Sequence, residues 1–177
     1  MHVSIENKLG AFGVLLSDAT AVALDGFSCS AAALLLTLGY QGEATATQLA
    51  AIAGITQPTA VRVTEGLIRR RLIERGDRAG RTAPLRLTRE GVRRAQALQR
   101  ARLEAMKGVL AVLTVRERAA FEAVLDKLLA EATQSRAFAR RTCRLCNHGD
   151  CQGALCPIGS RATAVEKAHR LRDEETS

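Results

Sequence analysis

Apolar residues recur at helical spacing along most of the chain, and short stop signals divide them into segments. Near the N-terminus, one face of a predicted helix carries Leu9, Phe12, Leu15 and Leu16. A second apolar run, SAAALLLTLGY at 30–40, is typical of a short buried helix. Two helices are therefore predicted at the start of the chain.

The next two segments predict short helices separated by a tight turn. Thr45 and Gln48 have the spacing of a capping box, in which both side chains bond free amides of the first turn, and Gly54 ends that helix. Thr56 is a good N-cap for the following helix, and Pro58 suits its first turn. On this fourth helix the positions expected to be buried are Ala60, Val63 and Leu67. Two short helices joined in this way predict a helix-turn-helix.

The helical pattern is interrupted after this motif. LIERG at 72–76 and APLRLT at 83–88 are short apolar or alternating runs on either side of DRAGRT. Runs of this kind are typical of paired strands, and the polar segment between them is typical of a turn. The pattern predicts a two-stranded hairpin with a basic tip at Arg78 and Arg81.

Two long amphipathic helices are predicted beyond the hairpin. Thr88 caps the first, and the capping box formed by Thr114 and Glu117 begins the second. Their apolar stripes, with that of the N-terminal helix, exceed what one small subunit needs to cover, which indicates pairing of subunits. The predicted fold class is mainly α: a winged helix-turn-helix with long dimerisation helices and a small two-stranded wing.

The composition changes beyond residue 135, where arginines precede four clustered cysteines. We therefore divide the chain into a DNA-binding and dimerisation domain over residues 1–135 and a C-terminal extension over residues 136–177. A last short amphipathic helix is predicted to begin at Ser160.

Overall composition narrows the classes of function. Hydrophobic residues make up 47% of the chain but aromatic residues only 3%, so the core must consist of aliphatic side chains that suit helix packing. The sequence has no apolar run long enough to cross a membrane and no signal-peptide pattern at its start. It predicts a cytoplasmic protein without a membrane partner.

The positive charge is concentrated in one part of the chain. Residues 62–104 contain thirteen arginines and no lysine against five acidic residues, while the whole chain has a net charge of +8. A solvated charged face is the plain alternative. An arginine-rich block that begins on a predicted helix instead favours contact with phosphates, and therefore nucleic acid as the partner.

The order of these motifs resembles the MarR family of winged-helix transcriptional regulators, over roughly residues 5–135. The resemblance rests on ITQPT with Arg62, followed by LIER, DRAGRT and LRLTREG. It implies a homodimer on double-stranded DNA, with recognition helices in the major groove, wings at the minor groove, and control by a small-molecule effector or a redox signal. The family's groove-facing positions fall on Thr56, Gln57, Thr59 and Arg62, and its wing positions on Asp77, Arg78 and Arg81.

The chemistry of these side chains fits that assignment. Gln57 can bind adenine through two hydrogen bonds, and Arg62 can bind guanine or phosphate. A basic wing tip suits the negative potential of a narrow minor groove. Thr56 has the alternative role of a helix cap alone, and Asp77 that of a brace for the wing.

Two positions depart from the usual family pattern. Val61 stands where a polar Ser or Thr is frequent, and Arg71 replaces the glycine that commonly ends the recognition helix. The first change removes one hydrogen bond to DNA, and the second alters only a helix end.

Four of the five cysteines are clustered in the C-terminal extension. Their spacing, C-x2-C-x4-C-x4-C, resembles a zinc knuckle with cysteine in place of its histidine, and it is formed by Cys143, Cys146, Cys151 and Cys156. Four thiolates on a glycine-containing loop can hold one tetrahedral Zn²⁺, the favoured hypothesis. The spacing also suits an iron–sulfur cluster. A thiol switch without metal would use the same residues, and the plainest interpretation is a tail with no specific role.

The residues around the cysteines complete this hypothesis. Three arginines, Arg140, Arg141 and Arg144, are expected to offset the negative charge of a thiolate site. His148 is expected to remain outside the ligand set, because four cysteines already complete it. The remaining cysteine, Cys29, is expected to be a small buried residue at a helix start.

Three classes of function follow from these patterns. The favoured one is a dimeric regulator, a repressor, which binds a palindromic operator. The alternative is a non-specific nucleic-acid-binding structural protein whose knuckle-like segment grips single strands, but stacking aromatics are missing near the cysteines. We predict that the chain is not an enzyme, because no nucleophile and base occur at motif spacing.

Overall fold

The computed structural model describes residues 4–77, 83–151 and 156–175, and the account below refers to these residues. Its helices are α1 (Ile5–Ala23), α2 (Cys29–Gln41), α3 (Ala46–Ala53), α4 (Gln57–Arg69), α5 (Arg89–Val109), α6 (Val115–Ala132), α7 (Arg136–Thr142) and α8 (Pro157–Glu175). Its strands are β1 (Glu43–Ala44), β2 (Ile73–Arg75) and β3 (Leu85–Leu87). In these ranges no helix combines the length and apolar character needed to span a bilayer.

The predicted winged helix-turn-helix is confirmed. Helices α3 and α4 form the helix-turn-helix, and β2 and β3 form the antiparallel wing, with Ile73 opposite Leu87. A third strand, β1, lies on the other side of β3 and pairs Glu43 with Arg86. The sequence predicted only two strands because a strand of two residues is too short to show alternation.

Local capping chemistry begins the helices where the sequence predicted. Thr45 accepts a hydrogen bond from the Gln48 amide at 3.2 Å, and the Gln48 side chain accepts one from the Thr45 amide at 2.8 Å. Thr114 and Glu117 form the same reciprocal box at α6. Single caps by threonine begin α4 and α5. These bonds satisfy amides that have no partner inside a helix.

The main core lies between α2, the helix-turn-helix, the sheet and the first half of α5. Its most deeply buried large side chains, at most 2% exposed, include Leu34, Leu35, Leu38, Leu49, Ile73 and Leu98. On α4, Ala60 and Leu67 are buried as predicted, and Val63 is partly buried against this core. Burial of this face leaves the opposite face of α4 in solvent.

The first turn of α5 is fixed against the end of the helix-turn-helix. A Cβ atom on Gly91 would lie 1.8 Å from the carbonyl oxygen of Leu72, so glycine alone permits this approach. The Thr88 hydroxyl donates to the Arg71 carbonyl at 2.7 Å. Arg71 itself has a φ of 58°, the left-handed conformation that glycine adopts most easily. The backbone therefore keeps the geometry of the glycine that Arg71 replaces.

The C-terminal extension packs back onto the rest of the protein. Helix α7 contacts α3, and α8 contacts both α6 and α7. The expectation of a short last helix from Ser160 was wrong: α8 begins at Pro157 and has 19 residues. Proline suits the first helical position, and Cys156 directly before it receives the Gly159 amide on its sulfur at 3.2 Å, as a capping side chain does.

Candidate DNA-binding surface and cysteine cluster

The exposed N-terminal half of α4 carries the predicted DNA contacts. Gln57 and Arg62 are exposed, and in the described part of the chain neither side chain has an intramolecular hydrogen bond or ion pair. Thr56 accepts the Thr59 amide at 3.4 Å, and the two hydroxyls lie 2.9 Å apart. Gln57 and Arg62 are therefore free for an external partner, whereas Thr56 and the partly buried Thr59 are engaged in the cap.

Ion pairs hold the wing in place relative to α4. Glu65 on α4 forms a salt bridge with Arg75 on β2. Across the sheet, Arg86 donates to Glu74 at 2.8 Å. This bond to Glu74, with smaller contributions from other acids including Asp77, raises the pKa of Arg86. The contribution of Asp77 is the smallest of these, and its bracing role stays a prediction.

The predicted wing contacts Arg78 and Arg81 lie outside the described residues. Their place at the tip of the hairpin stays a prediction. The strands on either side of them, β2 and β3, are paired, so the ends of the tip segment are close together.

Several arginines of the arginine-rich block form ion pairs or stack on an aromatic ring within the protein. The guanidinium groups of Arg70 and Arg94 lie over the Phe27 ring, 4.0 and 5.0 Å from its centroid, and Arg94 also pairs with Asp25 at 2.6 Å. Other arginines of the block that pair with glutamates are Arg75, Arg86 and Arg93. Net charge alone therefore overstates how many arginines can contact DNA.

The structure brings the four clustered cysteines together. Cys143 follows α7, Cys156 precedes α8, and both are 8% exposed within a small apolar cluster that also contains Cys146 and Cys151. The Cys143 and Cys146 side chains shift each other's pKa, and Cys156 shifts the pKa of Cys151, so each pair interacts. The four sulfurs thus form two neighbouring pairs at the junction of α7 and α8.

These contacts shift the acidities of the thiols in opposite directions. Donation to Cys146, together with burial, raises the pKa of Cys143. The same hydrogen bond, aided by the Arg102 guanidinium and opposed by burial, lowers the pKa of Cys146 to about 6. Burial and donation to Cys156 raise the pKa of Cys151 to about 11. Within the cluster the pKa of Cys146 is thus lowered while those of Cys143 and Cys151 are raised.

Arg102 is a member of this site that the sequence did not reveal. It lies on α5, far from the cysteines in sequence, and its guanidinium acts on the Cys146 sulfur. Its Nε atom is buried and has no hydrogen-bond partner among the residues described. Of the arginines expected to balance the cluster, Arg144 instead donates to the Arg141 carbonyl at 2.6 Å.

The cysteine segment touches three parts of the DNA-binding domain. His148 stacks on Tyr40 near the end of α2, with ring centroids 4.2 Å apart. The Leu145 carbonyl accepts a hydrogen bond from Gln99 on α5 at 3.3 Å. The aliphatic stem of Arg141 lies against Gly54, which joins the two helices of the helix-turn-helix.

The expected metal centre stays a prediction. Within the ranges described, no three His, Cys, Asp or Glu side chains have the arrangement of ligands to one ion. The four predicted ligands are nevertheless neighbours, and His148 is engaged with Tyr40.

The expectation that Cys29 is buried was wrong. It is the first residue of α2 and its side chain is exposed. The core-facing residues of α2 begin three positions later, at Ala32. The first turn of the helix projects beyond the core, so a small apolar residue there stays in solvent.

Comparison with known proteins agrees with this architecture. The sequence profile of the MarR family matches residues 25–81, from the approach to α2 to a point beyond β2, the first strand of the wing. Among curated proteins no significant sequence match was found. The profile match covers α3 and α4 and therefore includes the exposed side chains described above.

Solved structures share the fold over about seven tenths of this chain. MepR, a transcription regulator of the Staphylococcus aureus multidrug efflux pump MepA, has a TM-score of 0.64 at 20% identity, covering 73% of this chain and 98% of MepR. A probable transcriptional regulator from Pseudomonas aeruginosa has a TM-score of 0.57 at 25% identity, covering 71% and 96%.

A third structure is a Mycobacterium tuberculosis MarR family protein in complex with salicylic acid. It has a TM-score of 0.56 at 24% identity, and the match covers 72% of this chain and 97% of that protein. The family's profile matches the segment that contains α3, α4 and β2, and the solved structures share the winged-helix fold, so the chain is similar to the MarR family in both respects.

Proposed function

We propose that the protein is a sequence-specific DNA-binding transcriptional regulator, a repressor that binds a palindromic operator as a homodimer. The observation that carries this proposal is the pair Gln57 and Arg62, exposed and unpaired on α4 of a MarR family winged helix. The salt bridge between Glu65 and Arg75 joins this helix to the first strand of the wing. A helix with free polar groups beside a braced hairpin suits simultaneous contact with two grooves.

The proposed dimer interface is formed by α1 and α6. These helices have 19 and 18 residues, yet neither contains a buried residue in the single chain. Phe12 and Phe121 join them edge to face at 6.0 Å. Around this contact the exposed apolar side chains include Leu9, Val14, Leu15, Val22, Val124 and Leu128. An apolar surface of this extent is typical of subunit interfaces.

We further propose that DNA binding responds to a small ligand, a metal or a redox signal. A cavity of about 800 Å³ lies between the ends of α2 and α3 and the C-terminal extension. Its walls include Tyr40, Arg140, Cys143 and Cys151, so an occupant would touch the cysteine cluster. The similar Mycobacterium tuberculosis protein was solved in complex with salicylic acid, which supports a small-molecule effector.

Selection of binding sites from random duplex DNA, followed by a footprint, tests the proposed function. The expected product is a two-fold site whose half-sites are spaced by about one helical turn, roughly 10 base pairs. Uniform coating of the duplex, or preferential binding of single strands, would support the structural-protein alternative instead. That alternative is not favoured, because the match to the MarR family profile and the exposed face of α4 both agree with double-stranded DNA.

A further inference from the structure

The cysteine cluster has features that stabilise thiolates, the form of cysteine that binds a metal. Cys156 receives the Gly159 amide on its sulfur at the start of α8, where the helix dipole favours negative charge. The four sulfurs already form two neighbouring pairs inside one apolar cluster. A tetrahedral metal ion takes four such ligands, and its binding would release the thiol protons.

Arg102 supplies an independent observation that points the same way. Its buried Nε has no acceptor among the described residues, and its positive charge lowers the pKa of Cys146. A buried donor normally has a partner. Four thiolates around a divalent cation have a net charge of about −2. Their sulfur lone pairs would give the Arg102 Nε–H an acceptor.

The same segment is braced against the DNA-binding elements. Arg141, two residues before Cys143, covers Gly54, which has a φ of 68° in the turn between α3 and α4. Between Cys143 and Cys151, Leu145 is bonded to Gln99 of α5. Fixing Cys143 and Cys146, which lie beside Arg141 and Leu145 in the chain, would therefore restrict how far α4 can move relative to α5.

We propose that Cys143, Cys146, Cys151 and Cys156 bind one Zn²⁺, balanced by Arg102, and that the bound ion holds the extension against the helix-turn-helix and strengthens operator binding. This inference rests on the proposed regulator function and names the signal to which it responds. The ion contributes no contact to DNA. It acts by stabilising the loop that supports the turn between α3 and α4.

The first experiment measures metal content. Full-length protein purified without oxygen and with reductant should contain about one zinc per chain and be colourless. Cys29→Ser, which removes an exposed cysteine outside the cluster, should contain the same amount, and Cys146→Ser should lose it. A brown protein with iron and sulfide would overturn the zinc assignment, and a protein without stoichiometric metal would overturn the metal site.

The second experiment measures coupling in the wild-type chain, so that it does not depend on a variant that fails to fold. Removal of zinc by a chelator should weaken operator binding about tenfold, and added Zn²⁺ should restore it. Arg102→Gln should lose zinc at lower chelator concentration but bind the operator normally when zinc is saturating. Unchanged operator affinity in the zinc-free protein would overturn the coupling.

Arg141→Ala tests the contact between Arg141 and Gly54 separately from the metal site. It should retain zinc, because Arg141 is not a proposed ligand, but its operator affinity should no longer depend on zinc. A tenfold zinc effect that persists in this variant would overturn the proposed route. If no sequence-specific DNA binding occurs at any zinc level, the regulator function fails, while the metal content still decides the site.

Discussion

Gly91 lies directly on the backbone of Leu72, so close that a Cβ at this position would be 1.8 Å from the Leu72 carbonyl oxygen. This contact joins the start of α5 to the point where the recognition helix gives way to the wing. The glycine of the LTREG motif is therefore explained by packing between two backbones.

Gly91→Ala is expected to destabilise the protein by about 3 kcal/mol, because a methyl group cannot enter this contact without movement of the backbone. Gly108→Ala, in the same helix with open space around it, is the matched control and should be stabilising by about 0.5–1 kcal/mol. Chemical denaturation of both variants measures the difference. Equal stabilities would show that the close approach is not maintained in solution.

Substitutions on α4 should distinguish contacts with DNA bases from a general effect of positive charge on DNA binding. Gln57→Ala and Arg62→Ala are each expected to weaken operator binding by about 1–3 kcal/mol and to relax preference at particular base pairs. Arg161→Ala, an exposed arginine on α8, is the control and should leave both quantities unchanged. Competition binding with single-base operator variants gives the measurement. An Arg62→Ala protein with wild-type preference would contradict the assignment of α4.

A charge on α1 should separate the proposed subunits. Leu15 is 51% exposed in the single chain, and Leu15→Glu would place a carboxylate inside the dimer interface without a partner. The variant is expected to sediment as a monomer and to lose high-affinity binding to the two-fold operator. Ala164→Glu adds the same charge to an exposed position of α8 and should remain dimeric. If both variants behave alike, α1 is not at the interface.

The contact between α7 and α8 should weaken in acid. Arg136 donates to Glu166 at 2.8 Å, and this bond lowers the pKa of Glu166 below its ordinary value of 4.5. A lowered folded-state pKa stabilises the protein at pH values above about 4.5, and the contribution is lost as pH falls through the folded value. The difference in melting temperature between wild type and Glu166→Gln should therefore be largest near neutral pH and vanish in acid.

Glu174→Gln is the control for this titration, since Glu174 is an exposed residue of the same helix. It should follow the wild-type curve across the whole range. A Glu166→Gln difference that stays constant down to about pH 3 would show that the carboxylate charge does not contribute.

The sequence predicted the elements whose signals are local. The capping bonds of Thr45, Thr56 and Thr114 join residues three apart, so their spacing alone revealed the starts of α3, α4 and α6. The apolar positions of α4 predicted its buried face, and the exposed face is the opposite side of the same helix. The sequence also identified the cysteines, because their spacing is a pattern within one short segment.

Contacts between distant segments could not be predicted in this way. Nothing near Arg102 in sequence indicates that its charge acts on Cys146, and the contact of Arg141 with Gly54 exists only because α7 folds back on α3. Likewise, the sequence gives the number of arginines in the block but not how many are free to bind DNA. The stacking of Arg70 and Arg94 on Phe27 depends on the packing of α1, α2, α4 and α5.

The stacked pair of Tyr40 and His148 gives the protein an internal optical probe. Tyr40 is the only tyrosine of the chain, which has no tryptophan, so its emission is unobscured. Its ring lies 4.2 Å from an imidazole in the cysteine loop. Departure of the loop would remove that neighbour and change the emission, without any label. The natural fluorescence of this protein can therefore follow, in real time and in the unmodified chain, when the loop detaches and when it returns.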